Sequence, residues 1–274
     1  MSKLVKSILK TEIAKKQSAF FYIGQEGFIF KNKKGYIAVD PYLSDYVDKN
    51  CSKLVPWKRL YPAPVKASEL DFLDAVLCTH THYDHADPWT LVPIANANPN
   101  TVFVIPAPEV ETVASYGIAK ERIIPAYAGC EIEIAGFKIT PIPAAHEEFH
   151  TDEKGNYKEF SYIINDGSNT FFHSGDMSLY DGLADAVGSV DVALLCINGR
   201  DEYRTSLDII GNIDCREAVL FAKELRAKLV VPMHHDLYAV NCESPERFVN
   251  LMNTLSPRQS FHLFRPGEKF IFSK

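Results

Sequence analysis

The chain has 274 residues, of which 46% are hydrophobic and 23% charged, and its formal net charge is −6. This balance excludes an intrinsically disordered chain, and the acidic charge argues against a large nucleic-acid-binding surface. No apolar run approaches the ~20 residues of a membrane-spanning helix. We therefore expect neither a nucleic acid nor a membrane as a partner.

The cysteines indicate a reducing compartment. None of the six forms a C-x-x-C pair, and Cys78 and Cys196 lie inside apolar runs, as buried thiols do. The basic N-terminal segment lacks the unbroken apolar core of a secretory signal. These features predict a cytoplasmic protein and leave a homo-oligomer possible.

The first third of the chain is rich in predicted strands. Residues 19–23 and 28–30 flank a Gly-Gln-Glu-Gly turn and predict a hairpin, and residues 36–40 predict a strand that ends in Asp40. Residues 43–66 have no clear period and predict a long loop. This loop carries a basic and aromatic group, Lys53, Trp57, Lys58 and Arg59. The group forms either one wall of a cleft or part of a solvated loop.

Residues 79–87, Thr-His-Thr-His-Tyr-Asp-His-Ala-Asp, crowd three imidazoles and a carboxylate into six positions: His80, His82, Asp84 and His85. Crowding such groups costs repulsion and desolvation unless a cation compensates them. The apolar residues 74–79 predict a buried strand before the cluster, and Asp87-Pro88 predicts a helix start after it. The cluster therefore lies where α/β folds place their chemistry.

The spacing of the cluster bears on how it would bind a metal. In an extended backbone His80 and His82 point the same way and can hold one ion. Asp84 and His85 follow where the chain leaves the strand, so they reach either the same ion or a second ion beside it.

Later predicted strands also end in ligand-type residues. Hairpins at residues 131–140 and 160–173 lead to His146 and Asp176, and a strand at residues 228–233 leads to His234 and His235. Between them, an apolar strand at residues 190–197 opens on a polar loop at residues 198–212. Helices are predicted at residues 108–116, 216–227 and 245–255. No low-complexity linker divides the chain, so a single α/β domain over residues 1–274 is the economical interpretation.

Each of these later residues taken alone is more often structural than functional. An aspartate after a Ser-Gly pair is usually a turn residue, and a single buried histidine usually belongs to the core. Together with the cluster at residues 79–87, His146, Asp176 and His234 become candidate metal ligands.

The ordered set His80-x-His82-x-Asp84-His85, His146, Asp176 and His234 resembles the metallo-β-lactamase superfamily. The resemblance implies a four-layer αββα sandwich with metal ions at one edge of its two sheets. Residues 173–176, 191–195, 198–199 and 231–236 look like the branch that contains L-ascorbate-6-phosphate lactonase.

The resemblance also implies roles for individual residues. His80, His82 and His146 would bind one divalent ion, Asp84, His85 and His234 a second, and Asp176 would bridge them. Asp40 would orient a ligand from behind. Since the family ligand terminates its strand, His234 is favoured over His235, which would point into the cleft or pack. The ligand types suit Zn²⁺, Mn²⁺ or Fe²⁺, with one or two ions.

These implications predict a metal-dependent hydrolase with a metal-bound hydroxide as nucleophile, assisted by Asp84 and Asp176. We expect a small anionic substrate, such as a sugar-phosphate lactone or an ester. Its anionic group needs a cationic anchor, for which Arg200 and Arg204, with Asn198 beside them, are the first candidates, and Lys58 and Arg59 the second. The alternatives are a phosphodiesterase or nuclease on the same metal core and, less favoured because every ligand type is retained, a non-catalytic interaction module.

Overall fold

The computed structural model describes residues 1–51 and 54–274, and these form two seven-stranded sheets. Lys53, which the sequence suggested as part of a cleft wall, lies outside the described residues. The first sheet contains, from edge to edge, β14 (Lys269–Ser273), β1 (Gln17–Gly24), β2 (Gly27–Lys31), β3 (Tyr36–Val39), β4 (Ala75–Leu77), β5 (Val102–Pro106) and β6 (Ile123–Ala126). The second contains β13 (Ser260–Phe261), β12 (Leu229–Met233), β11 (Val192–Cys196), β10 (Thr170–His173), β9 (Phe160–Asn165), β8 (Phe137–Pro143) and β7 (Ile132–Ile134).

Both sheets are mixed and have the same layout. In the first, β14, β1, β2 and β3 pair antiparallel, and β3 to β6 pair parallel. In the second, β7 to β10 pair antiparallel, and β10 to β13 pair parallel. Each sheet therefore has a parallel half whose strand ends meet at one edge, as required for a site made from several strand ends.

The helices lie outside the two sheets. They are α1 (Lys3–Lys10), α2 (Tyr46–Asn50), α3 (Pro88–Ala97), α4 (Val110–Ala114), α5 (Leu183–Val187), α6 (Glu202–Thr205), α7 (Cys215–Glu224) and α8 (Pro245–Leu255). Residues of α1, α3 and α4 pack on the first sheet, and residues of α5, α7 and α8 pack on the second. Among the described residues, no helix is long and apolar enough to cross a membrane.

Alternation along the strands creates the layers. On β1, Phe20 belongs to the core between the sheets, whereas Phe21 belongs to the core beneath the helices. The core between the sheets is aromatic, with the Phe20 ring 5.4 Å from that of Phe171 in the opposite sheet. The predicted αββα sandwich is confirmed.

Two short helices lie in segments that the sequence analysis interpreted as loops. They are α2, within residues 43–66, and α6, within residues 198–212. The Asp201 side chain accepts a hydrogen bond from the Arg204 backbone N–H at the start of α6. Helices of four or five residues leave no periodic apolar pattern to find in a sequence.

Candidate metal centre

The histidine cluster lies in the tight connection between β4 and α3. The His82 carbonyl accepts hydrogen bonds from the N–H groups of His85 and Ala86, at 3.0 and 2.8 Å, which curls the chain back on itself. Asp87 ends the curl by capping α3, since its side chain accepts from Trp89 N–H at 2.7 Å. This path brings the side chains of His80, His82, Asp84 and His85 together at one edge of the sheets.

Four candidate ligands form a first group: His80, His82, His146 and Asp176. Their potential ligand atoms all lie within 4.8 Å of one another. His146 Nε2 lies 3.4 Å from His82 Nδ1 and 3.6 Å from Asp176 Oδ2. His146 follows β8 and Asp176 follows β10, so the second sheet completes a set begun by the first.

Three more form a second group: Asp84, His85 and His234. Asp84 Oδ2 lies 3.4 Å from His234 Nε2 and 3.7 Å from His85 Nε2. Asp176 reaches this group too, with Oδ2 3.6 Å from His85 Nε2 and Oδ1 3.3 Å from His234 Nε2. Asp176 therefore lies between the two groups, in the position of a bridging carboxylate.

The spacings fit divalent metal ions. Ligand atoms about 2.1 Å from one tetrahedral ion lie about 3.4 Å apart, and the contacts above fall between 3.3 and 3.7 Å. His80 Nε2, His85 Nε2 and Asp176 Oδ1 are buried and have no hydrogen-bond partner among the described residues. Buried polar atoms are normally paired, so the residues present fit a pair of ions.

Electrostatics support the same conclusion. Burial lowers the pKa of His146 to about 4, although the Asp176 carboxylate opposes the effect. Burial also lowers the pKa of His234, but Asp176 and the hydrogen bond to Asp84 outweigh it and raise the pKa to about 9. Burial raises the pKa of Asp176, yet His234 and His85 hold it well below the usual range. Metal cations that replaced the protons on these histidines would still neutralise the negative charge of the carboxylates.

Asp40 lies behind the cluster and contacts it. It is fully buried, and its Oδ2 lies 3.0 Å from His85 Nδ1 and accepts from Thr79 Oγ1 at 2.7 Å. A carboxylate on the far nitrogen of a ligating histidine fixes its tautomer and ring orientation. His235 is buried, but it lies outside both ligand groups, so the structure places His234 there instead.

Gln25 and Glu26, which the sequence analysis did not single out, lie in the turn between β1 and β2. They are 2% and 0% exposed. Gln25 Nε2 donates to Asp84 Oδ2 at 2.7 Å and lies 3.1 Å from His234 Nε2. Glu26 Oε2 lies 3.8 Å from His85 Nδ1, and burial, with Asp176, raises the Glu26 pKa well above the usual range. The sequence feature that could have identified them is a pair of polar residues between two uninterrupted apolar strands.

The structure corrects the predicted substrate anchor. Asn198 is fully buried and donates to Asn241 at 3.1 Å. Arg200 holds both carboxylate oxygens of Glu217, at 2.7 and 2.6 Å, and Arg204 pairs with Asp201 at 2.6 Å.

Arg200 and Arg204 therefore make contacts within the protein that hold residues 198–212 in place. Neither arginine lines the cavity over the metal centre. Of the second candidates, Arg59 donates to backbone carbonyls and stacks on the Tyr42 ring, 4.8 Å from its centroid. Lys58 is also not among the described residues that line this cavity.

A cavity of about 620 Å³ opens over the metal centre. His82, Asp84 and His146 form its base, and Trp57, Tyr116 and Ile210 contribute to its sides. Trp57 confirms that residues 43–66 supply part of a cleft wall. The arrangement can hold a small molecule with a reactive bond above the two ligand groups.

Comparison with known proteins agrees with the fold. A sequence profile described as Beta-lactamase superfamily domain matches residues 36–235. A UPF0173 metal-dependent hydrolase from Metallosphaera sedula is 29% identical over 192 residues, covering 68% of this chain and 76% of that protein. One from Caldivirga maquilingensis is 28% identical and covers 78% and 86%.

Solved structures share the architecture. A metallo hydrolase from Ignicoccus hospitalis has a TM-score of 0.68 at 22% identity and covers 94% of this chain and 99% of its own. An isothiocyanate hydrolase from Delia radicum gut bacteria has a TM-score of 0.72 at 15% identity and covers 93% and 99%. At these identities the likeness concerns the fold.

Proposed function

This chain belongs to the metallo-β-lactamase superfamily and is a metal-dependent hydrolase of that fold, and we propose that it cleaves a small ester or lactone. The observation that carries the proposal is the double ligand set beneath one cavity. Asp176 lies between its two groups, 3.6 Å from His146 and 3.3 Å from His234. The lactone is favoured by the resemblance of residues 173–176 and 231–236 to the lactonase branch.

The proposed ligands divide between two ions. His80, His82 and His146 would hold one ion, Asp84, His85 and His234 the other, and Asp176 both. When bound, divalent ions in such sites lower the pKa of water towards neutrality and polarise a carbonyl oxygen. Zn²⁺, Mn²⁺ and Fe²⁺ all suit these nitrogen and oxygen ligands.

Asp84 is the proposed proton carrier. Its side chain lines the cavity and is 21% exposed, while Gln25 and His234 fix one of its oxygens. The carboxylate would take a proton from the attacking water and deliver it to the alkoxide that leaves when the acyl–oxygen bond breaks. An ester and water thus become a carboxylic acid and an alcohol, and a lactone and water become one hydroxy acid, with no side-chain nucleophile required.

The test combines metal analysis with a substrate panel. The purified protein is assayed for bound metal, then for hydrolysis of neutral carboxylic esters, δ-lactones, bis(4-nitrophenyl) phosphate and RNA, before and after chelation. We expect chelation to abolish ester and lactone hydrolysis and metal to restore it. Hydrolysis confined to the phosphodiester or to RNA would replace the proposal with the phosphodiesterase alternative.

Two variants probe the mechanism. Asp84→Asn should reduce kcat at least ~100-fold, the usual contribution of a positioned acid or base. Asp185→Asn, an exposed change on α5, is the matched control and should retain activity. Unchanged turnover in a His82→Ala, Asp84→Ala double variant would exclude the metal mechanism.

A further inference from the structure

Apolar side chains form much of the sides of the cavity over the metal centre, beside polar ones such as Thr112 and Ser206. Val47, Val55 and Trp57 contribute from the segment that follows β3. Leu207 and Ile210 contribute from the segment that follows β11. Trp57 is held in place because its ring packs edge-on against Tyr238, 5.2 Å between centroids. Apolar side chains on a fixed frame favour an apolar group in the ligand.

The charges around the cavity also bear on the nature of its occupant. Among its described lining residues there is no lysine or arginine, and Asp208 adds a carboxylate to those of Asp84 and Asp176. An anionic group placed against these walls, away from the ions proposed at the base, would lie near Asp208 with no cationic side chain among the described lining residues, and such burial is costly. The arginines of the neighbouring loops already have partners, as Arg200 has in Glu217.

We propose that the substrate is uncharged and that its ester or lactone group is joined to an apolar group, about the size of a benzyl or hexyl chain. The reaction rests on the proposed function, whereas the substrate class rests on the walls of the cavity. A cavity of about 620 Å³ has room for such a molecule, since ligand sites of about 300–1,000 Å³ hold small organic molecules. The inference replaces the sugar phosphate that the sequence suggested.

The first experiment measures binding without turnover. Isothermal titration of the metal-loaded protein compares 6-alkyl-δ-lactams, from methyl to hexyl, with a δ-lactam that carries a phosphate in place of the alkyl group. Affinity should rise up to about fourfold for each methylene that enters the cavity, and the phosphate analogue should bind at least ~10-fold more weakly than the hexyl lactam. Equal affinity across the alkyl series, or tighter binding of the phosphate analogue, would overturn the substrate class.

Variants locate the effect. Ile210→Ala should flatten the dependence on alkyl length, and Ile210→Arg should move the preference toward the phosphate analogue. Leu60→Ala, at a 58% exposed position outside the cavity lining, is the control and should behave as wild type. Each variant should keep its metal content by elemental analysis, because none of these residues is a candidate ligand.

Lys53 is tested directly, because it lies outside the described residues in the same segment as Val55. Lys53→Ala should leave the preference for alkyl lactams unchanged. If the variant preferred alkyl lactams and the wild-type protein did not, Lys53 would be an anchor for an anion, and the proposal would be wrong. Since these readouts are affinities, a retained alkyl preference without ester hydrolysis would reject the proposed reaction and leave the substrate class standing.

Discussion

At the scale of single residues, some side chains of the metal centre can be predicted from the sequence and others cannot. His80, His82, Asp84 and His85 are visible because crowding such groups is costly unless they bind a cation. Gln25 is hidden, because a glutamine in a Gly-Gln-Glu-Gly turn normally faces solvent. Its burial follows from contacts made far along the chain, where the Gln25 carbonyl accepts from His234 N–H at 2.9 Å.

Gln25 is expected to position Asp84 for metal binding. Gln25→Ala removes the 2.7 Å hydrogen bond to Asp84 Oδ2, and loss of such outer contacts typically weakens metal affinity by about 10–100-fold. Competition with a chromophoric chelator measures the affinity. Gln259→Ala, near the far end of the second sheet, should bind metal as wild type does. Wild-type affinity in Gln25→Ala would show that the amide does not support the ligand.

At the scale of elements, the sequence predicted where most strands end and therefore which residues meet. Apolar runs ending in His80, Asp176 and His234 mark parallel strands whose ends share one edge. The short helix α6 and the partners of Arg200 escaped prediction for a different reason. A guanidinium on a polar loop is compatible with a substrate or with any carboxylate of the protein, and Glu217, 17 positions away, cannot be chosen from spacing.

Gly175 is expected to be irreplaceable in the turn between β10 and Asp176. Its φ is +57°, and an added Cβ would lie 2.9 Å from the Thr79 side chain and 3.0 Å from the Phe160 carbonyl oxygen. The structure therefore shows a close approach of this glycine to protein atoms. Gly175→Ala should lower the free energy of unfolding by roughly 2–4 kcal/mol, from left-handed strain plus the clash.

Gly117→Ala is the matched control for that variant. Gly117 also has positive φ, +100°, but nothing lies within 4 Å of an added Cβ. Gly117→Ala should lower the free energy of unfolding by about 1–2 kcal/mol, which is the cost of the left-handed backbone alone. Urea denaturation compares the two, and equal costs would show that contact with Thr79 contributes nothing.

Asp191 should make a pH-dependent contribution to stability where β10, β12 and the C-terminus meet. Its carboxylate accepts from Thr170 N–H and lies 3.0 and 2.8 Å from the Nζ atoms of Lys228 and Lys274. Burial raises the Asp191 pKa, but Lys274, Thr170 and Lys228 outweigh it and lower the pKa below the usual value. A lowered folded-state pKa stabilises above the unfolded value of about 3.9, and the contribution is lost as the pH falls through the folded value.

Asp191→Asn should therefore cost about 1 kcal/mol at neutral pH, for one hydrogen bond and two solvent-screened ion pairs. The difference in Tm from wild type should shrink below about pH 4. Asp185→Asn, exposed on α5, should match wild type throughout. A difference that grew on acidification would contradict this assignment.

At the scale of the whole molecule, the site is shared between the sheets. The order of the candidate ligands was predictable from the strand ends, and the αββα fold was predictable from the family resemblance that this order carries. The cavity was not, because its walls come from irregular segments whose apolar residues, such as Val55 and Ile210, show no period. The charge of a substrate could therefore be judged only once these segments were in place.

Metal removal should destabilise the whole chain. Ions that bind the folded state alone add about 4 kcal/mol at 1,000 times their Kd. Each kcal/mol shifts Tm by about 2–4 °C in a chain of 150–250 residues, so chelation should lower Tm by roughly 10 °C. His82→Ala should have a Tm that is less sensitive to the chelator. An unchanged wild-type Tm, with elemental analysis showing the metal gone, would contradict the coupling.

Because the candidate ligands come from both halves of the chain, we expect the protein to assemble from two complementary fragments. Residues 127–131, which join the sheets between β6 and β7, are all exposed. A cut there leaves His80, His82, Asp84 and His85 on one fragment and His146, Asp176 and His234 on the other. Neither fragment carries both parts of either ligand group, so a divalent ion would act as the coupling agent. Reassembly of the co-expressed fragments should then respond to metal concentration, as a sensor does.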